Sequence, residues 1–265
     1  MIKVIVDGAC GRMGRMLIFL VTRQPDMELV GATEYPAHPK MGADAGEVAG
    51  IGSLGVKIVA NLADVIDQGD VAIEFTSPEA TVSNLKKVVD AKKSMVIGTT
   101  GCTADQLAKI RLLAEHIPCL MSPNMSVGVN VMLRAIELVA KALGDDYDVE
   151  VIEAHHNQKK DSPSGTAVRI ADVLATALDR DMNQVGVYGR EGIVGVRPKK
   201  EIGVHAVRGG DIVGDHTVLF AGIGERLEIS HRAQSRESFA SGAIRATRWI
   251  VNAPNGLHDI SEVLF

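Results

Sequence analysis

The sequence predicts an α/β protein: an N-terminal doubly wound parallel sheet, followed by a second α+β domain built on a mixed sheet. Three observations predict it. Short β-branched runs alternate with helix-period segments through the first half, a pattern that places helices on both faces of parallel strands. A glycine-rich turn joins the first strand to the first helix. Over residues 203–230 the strand-like runs follow one another without helices, which favours antiparallel or mixed pairing. A chain of 265 residues divides naturally into two domains, expected at 1–126, completed by 236–265, and at 127–235.

In chain order, strands are expected at 3–6, 28–32, 71–75, 95–97 and 119–121. The first helix carries Met13, Met16, Leu17, Leu20 and Val21 at three- and four-residue spacing, one apolar stripe turned to a sheet. Further helices are expected at 79–91, 103–115 and 129–143, the last leading to a strand at 148–154. Then come a helix at 166–178 and Gly-punctuated strands at 203–207, 217–221 and 226–230. A closing helix at 236–251 resumes a long periodic pattern and is expected to pack back on the first domain. The sequence shows no internal repeat or low-complexity tract.

Composition narrows the class of function. Hydrophobic residues make up 46% of the chain with only one Trp, three Tyr and five Phe, so the core is aliphatic. A net charge of −5 gives no whole-chain attraction to a polyanion, and neither a helix-turn-helix pattern nor a basic stripe is present. Nucleic acid is therefore not an expected partner, and a nucleotide-sensing regulator is disfavoured. The apolar runs fall short of the roughly 18–20 residues a membrane span needs, and the N-terminus lacks the order of a secretory signal. The expectation is a cytoplasmic protein without membrane attachment. Cys10, Cys102 and Cys119 are odd in number and lack CxxC spacing, which fits reduced thiols and no zinc site.

The first strand runs into Asp7 and then Gly8, Ala9, Cys10, Gly11, Arg12, Met13 and Gly14, where a helix begins. Glycines at this spacing allow a tight turn and a close backbone approach to a pyrophosphate, while free N–H groups at the helix start attract it. The spacing is GxxGxxG, a variant of the usual GxGxxG, and alone it also fits a purely structural turn. Its context favours a Rossmann-like dinucleotide site: the second strand ends at Glu34, 20 residues beyond Gly14, where a carboxylate can accept from ribose hydroxyls. Two further strand ends belong to the same crevice, Gly98, Thr99, Thr100 and Gly101, and Ser122, Pro123, Asn124 and Met125. Either could equally be an ordinary turn.

The densest chemistry is EAHHNQKKDSPSGTA at 153–167, between a strand and a helix. A helix start bearing Ser164, Gly165 and Thr166, together with Lys159, would suit a carboxylate, and a histidine can donate a proton near neutral pH. The bland alternative is a polar loop before a helix capped by Ser162 or Ser164, with solvated lysines. Adjacent residues in extended backbone point to opposite sides, so His155 and His156 do not converge on one ion; no metal is expected there.

The sequence resembles the dihydrodipicolinate (4-hydroxy-tetrahydrodipicolinate) reductase family along essentially its whole length. The resemblance rests on GACGRMG at 8–14, GTTG at 98–101, PNMSVGVNV at 123–131, the 153–167 segment, and GREGIVG through EIGVHAVRGGDIVGDHTV at 189–218. It implies a nucleotide-binding unit completed by the C-terminal helix, and a substrate domain that also builds a homotetramer. The implied reaction is reduction of a small cyclic dicarboxylate by NADH or NADPH, with loss of water, in lysine and diaminopimelate biosynthesis. Domain closure is expected to bring the two reactants together and exclude water. By the same match His155 is the expected proton donor and Lys159 a second catalytic group. His156, Lys159, Ser164, Gly165 and Thr166 correspond to substrate-binding positions. Gly8, Ala9, Cys10, Gly11, Arg12, Met13, Glu34, Gly98, Thr99, Thr100, Ser122, Pro123, Asn124 and Met125 correspond to cofactor-binding ones. Members that use NADPH well carry an arginine directly after the glutamate, and Tyr35 stands there instead, so NADH is expected to be preferred or equalled.

A rival reading, a semialdehyde dehydrogenase acting through a thiohemiacetal, needs an activated cysteine. Neither Cys102 nor Cys119 has a histidine adjacent in sequence.

Overall fold

The computed structural model describes residues 1–265 and forms two compact units, Met1–Val127 with Glu237–Phe265, and Gly128–Arg236. The chain opens with β1 (Ile2–Asp7), α1 (Arg12–Val21), β2 (Met27–Thr33), the short α2 (Ala45–Ala49) and β3 (Ile58–Val59). Then follow β4 (Val71–Glu74), α3 (Pro78–Asp90), β5 (Ser94–Ile97), α4 (Ala104–Ala114) and β6 (Pro118–Met121). The second unit takes most of α5 (Val127–Leu143), then β7 (Asp148–His155), α6 (Gly165–Ala177), α7 (Met182–Val185) and β8 (Gly186–Tyr188). It ends with β9 (Ile202–Arg208), β10 (Gly214–Ala221) and β11 (Arg226–Ala233). The chain returns to the first unit through α8 (Glu237–Ile250), β12 (Gly256–His258) and α9 (Ile260–Leu264).

The first sheet is parallel throughout, in the order β12-β6-β5-β4-β1-β2-β3. Its strand order reverses direction between β1 and β4, the point at which open α/β sheets bind ligands beyond their carboxyl ends. Helices cover both faces. Leu17 and Ile18 of α1 share one apolar layer with Ala243 and Ile244 of α8, while Leu85 of α3 and Ile110 of α4 share the other. The stripe read along α1 is buried where it should be, at Leu17, Leu20 and Val21, with Met13 and Met16 packed at its margin. Close packing on α8 needs Gly242, where a Cβ would lie 1.7 Å from the Met125 carbonyl oxygen.

The second sheet is mixed, in the order β11-β10-β7-β9-β8, with β7 parallel to β9 and antiparallel to β10. One face is covered: Val149, Val151, Val218 and Phe220 pack against Met132 and Ile136 of α5 and Ile170 and Leu174 of α6. The other face leaves Ile152 and Val207 exposed.

Elements that escaped the sequence reading are short. β3, β8 and β12 span two or three residues and α2 five, too short for an apolar pattern to repeat more than about once. One boundary moved for a local reason: α1 starts at Arg12, inside the glycine motif, because Gly11 takes the extended N-cap conformation. No helix of the structure is long and apolar enough to cross a membrane.

Candidate active site

The strand-to-helix turn of the first unit is shaped by what glycine leaves out. Gly8 has φ of +82°, the left-handed region that disfavours any side chain. A Cβ on Gly14 would stand 2.1 Å from the Gly8 carbonyl oxygen, so the turn closes only with glycine at both positions. The Gly8 and Ala9 N–H groups donate to the Thr33 carbonyl, at 3.0 and 2.9 Å, which ties the loop to the end of β2. Gly11 caps α1 without a side-chain hydrogen bond, so no side chain competes for the first helical N–H groups, those of Arg12, Met13 and Gly14. This cradle fits a pyrophosphate.

Glu34, at the end of β2, accepts the Cys10 N–H at Oε2 and the Tyr35 N–H at Oε1, each at 3.0 Å. A carboxylate offers about four acceptor positions, so Glu34 keeps capacity to accept from a ligand hydroxyl. Cys10, Glu34 and His38 bring potential ligand atoms within 4.8 Å of one another. Burial and the nearby Glu34 push the Cys10 thiol up, which opposes the thiolate that a metal requires.

Beneath the turn lie two acids that sequence reading passed over. Asp7 and Glu74 are partners across β1 and β4 at the carboxyl ends of both strands, and both are buried. Thr33 and Asn84 each donate to Asp7 at 2.5 Å. Glu74 accepts from the hydroxyls of Thr76, Thr81 and Thr99, the last two at 2.9 and 2.8 Å. Burial pushes both carboxyls up against the effect of those donors. Through Thr99, whose hydroxyl also accepts the Thr76 N–H at 2.9 Å, Glu74 joins the segment after β4 to the one after β5. Gly98 is needed there because the Phe75 ring occupies the space of a Cβ, 2.1 Å away. Thr99 is therefore a buried brace, while Thr100 is exposed. After β6, Ser122 donates to the Asn124 carbonyl at 3.1 Å, and the Asn124 side chain accepts the Ser126 N–H at 2.9 Å. Pro123 lies between them and is exposed, whereas Met125 is buried.

The second unit gathers its chemistry at the carboxyl end of β7. Residues two apart on a strand share a face, so Glu153 and His155 point together toward the covered side. His156 lies past the strand end and is only partly buried. His155 Nδ1 is 2.6 Å from Glu153 Oε2, and the Glu153 side chain is fully buried. Arg208, the register partner of His155 on β9, donates to both Glu153 oxygens at 2.8 Å. The Ser164 N–H donates to Glu153 Oε1 at 3.0 Å. Burial alone would raise the Glu153 carboxyl, but the donors from Arg208, His155 and Ser164 overcome it and hold it below the usual range.

Ser164 is the N-cap of α6, its hydroxyl accepting from Ala167 N at 3.1 Å and lying 3.0 Å from His216 Nε2. Of the two candidate caps, the structure uses this one and leaves Ser162 exposed. His216 faces Glu153 across β10 and meets the His155 ring edge-on, centroids 5.2 Å apart. Burial, reinforced by His155, depresses its pKa to about 4, so it is neutral near pH 7. Lys159 pairs with Asp161 at 2.9 Å, with its side chain 20% exposed. Gly165 and Thr166 form the first turn of α6, and no neighbour approaches the Cβ position of Gly165. Thus Lys159, His155 and the Ser164 turn belong to one cluster, whose hidden members are Glu153, Arg208 and His216. The strand alternation that pairs Glu153 with His155 was readable; the register that adds Arg208 and His216 was not.

The cysteines offer no nucleophile: burial drives Cys119 up to about 12 and raises Cys102 as well.

A seven-stranded parallel sheet with a glycine cradle at its switch point, joined to a unit bearing a histidine–lysine cluster, defines a nicotinamide-nucleotide oxidoreductase of two units. Family models described as dihydrodipicolinate reductase, N-terminus, and dihydrodipicolinate reductase, C-terminus, match residues 2–125 and 128–264. The chain belongs to the dihydrodipicolinate reductase family. It is 50% identical to the 4-hydroxy-tetrahydrodipicolinate reductase of Syntrophus aciditrophicus over 264 residues, covering 100% of this chain and 98% of that one. The enzyme of the same name from Geotalea daltonii is 52% identical, with 100% and 99% covered. Among solved structures, the dipicolinate-bound dihydrodipicolinate reductase from Paenisporosarcina sp. TG-14 superposes with a TM-score of 0.78 at 28% identity, covering 98% and 97%. An amine dehydrogenase from Mycobacterium smegmatis, at 14% identity and TM-score 0.62, with 98% and 95% covered, shares the fold alone.

Proposed function

We propose that the chain reduces 4-hydroxy-tetrahydrodipicolinate to tetrahydrodipicolinate and water in lysine and diaminopimelate biosynthesis, oxidising NADH or NADPH. The observation that carries this is the cluster at the end of β7, where a buried His155–Glu153 pair adjoins the Ser164 helix start, with Lys159 nearby in the same loop.

When bound, the reduced nicotinamide supplies the hydride. The first unit's part is to bind: the N–H groups after Gly11 hold the pyrophosphate and Glu34 the ribose. Lys159, with the hydroxyls and N–H groups of Ser164, Gly165 and Thr166, orients the substrate carboxylates, with His156 at the edge of that site. His155 delivers the proton that leaves with the substrate hydroxyl as water. One hydride, one proton and one hydroxyl balance the reaction.

NADH is preferred or equalled, since Tyr35 puts no cation beside Glu34, and a 2′-phosphate there meets a carboxylate. A homotetramer is supported by the uncovered face of the five-stranded sheet, where Ile152 and Val207 would otherwise face water. The need for a pool of reduced nicotinamide supports residence in the cytoplasm. The direct test couples the chain to the enzyme that forms the cyclic substrate and follows nicotinamide absorbance. Oxidation of NADH is expected; no oxidation of either cofactor would end this reading.

A further inference from the structure

We infer that Glu153 is a positioning residue: it fixes the tautomer and direction of His155, so that the proton leaves from Nε2 through the space kept clear at Gly214. The inference rests on the reading of His155 as proton donor and adds how that donor is aimed.

An ionised carboxylate only accepts hydrogen bonds, so at 2.6 Å from Glu153 Oε2 the Nδ1 of His155 carries a hydrogen. Glu153 is itself held by Arg208 on both oxygens and by the Ser164 N–H, and therefore cannot turn away. The ring is thereby oriented, and its other nitrogen, Nε2, points at Gly214. A Cβ at that position would stand 3.0 Å from Nε2 and 3.4 Å from the adjacent ring carbon. Gly214 does not occupy the left-handed region, so the backbone does not call for glycine there. What calls for it is room beside Nε2. The same carboxylate grips the N-cap of α6, so the proton donor and the helix start that receives the substrate carboxylate are set by one group.

A glutamine at 153 reverses this logic. Its amide oxygen would stay at the Oε1 position, where Ser164 N–H and Arg208 donate, which turns the amide NH₂ toward His155 Nδ1. Nδ1 then becomes an acceptor and the neutral ring shifts from the Nδ1–H to the Nε2–H tautomer; the imidazolium, which needs hydrogen on both nitrogens, loses the carboxylate that accepts from Nδ1.

The test joins ¹⁵N spectroscopy of the histidine rings with steady-state kinetics on the whole protein. In the parent, the neutral His155 ring is expected as the Nδ1–H tautomer; in Glu153→Gln it shifts to Nε2–H. Turnover of Glu153→Gln falls about 10²-fold or more, while KM for the dicarboxylate stays within about threefold. A structural role alone would not produce that split. Gly214→Ala loses about tenfold in turnover with an unchanged melting temperature, and it carries the kinetic test if Glu153→Gln does not fold. Parental turnover in Glu153→Gln, a loss confined to KM, parental turnover in Gly214→Ala, or an Nε2–H ring in the parent overturns the inference. A parent that fails to oxidise NADH with the substrate removes the proposed function instead, and the spectrum still decides how the ring is held.

Discussion

The two units solve different problems with different materials. In the first unit the turn after β1 offers backbone N–H groups, and the acids nearby, Asp7, Glu74 and Glu34, take their donors from β2, α3 and the loops after β1, β4 and β5. In the second unit the clustered polar groups are side chains from three strands and a helix start, held together through Glu153 and Arg208. Substitutions therefore act differently in the two units. Changes in the cradle should alter cofactor binding, and changes in the cluster should alter turnover.

Lys159→Ala tests the second half of that statement with the largest expected effect among these changes. Loss of a charge-assisted hydrogen bond to a carboxylate corresponds to roughly 10- to 150-fold, and we expect a fall of about 10²-fold in catalytic efficiency, mainly in turnover. Planar pyridine dicarboxylates should compete with substrate in the parent. Equal competition in Lys159→Ala would move the carboxylate site elsewhere. Thr166→Val should chiefly weaken substrate binding, by about tenfold.

Gly14→Ala probes the cradle. Because the added Cβ meets the Gly8 carbonyl oxygen at 2.1 Å, the turn must open, and NADH affinity should drop about tenfold or more by fluorescence titration. Retained affinity would mean that the turn does not hold the pyrophosphate.

His216 offers a test through stability. Its pKa is depressed to about 4 in the folded protein against the ordinary 6.5 of a free histidine, so between those values the unfolded chain binds more protons. Stability from this group is therefore complete above pH 6.5 and lost as pH falls toward 4, by on the order of 3 kcal/mol. Melting temperatures across that range should slope less in His216→Gln than in the parent. Equal slopes would show that His216 is not kept neutral by the cluster.

The smallest effect concerns cofactor choice. Tyr35→Arg should move the ratio of catalytic efficiencies severalfold toward NADPH, with little change for NADH. A parent that favours NADPH more than about tenfold, or an unmoved ratio, would show that position 35 does not set the choice.

The same contrast explains what could be read in advance. The turn is local: Gly8, Gly11 and Gly14 lie within seven residues and Glu34 follows the next strand, so the spacing together with its strand-helix context made the turn legible. The apolar stripe of α1 was legible for the same reason. Asp7 and Glu74 went unread because their partnership depends on β1 lying beside β4, 67 residues apart in the chain. His155, Lys159 and Ser164 stood out because they share one segment. Arg208, Gly214 and His216 join them only through the pairing of β7 with β9 and β10, which no periodicity specifies.

In the proposed reaction the second unit supplies the proton through His155 while the first holds the cofactor. The most direct measurement is His155→Gln, with turnover at saturating substrate and NADH affinity determined on the same preparation. A general acid contributes about 10²- to 10⁴-fold, so turnover should fall by that much with NADH affinity close to that of the parent. Parental turnover, or a loss that follows NADH affinity, would contradict it.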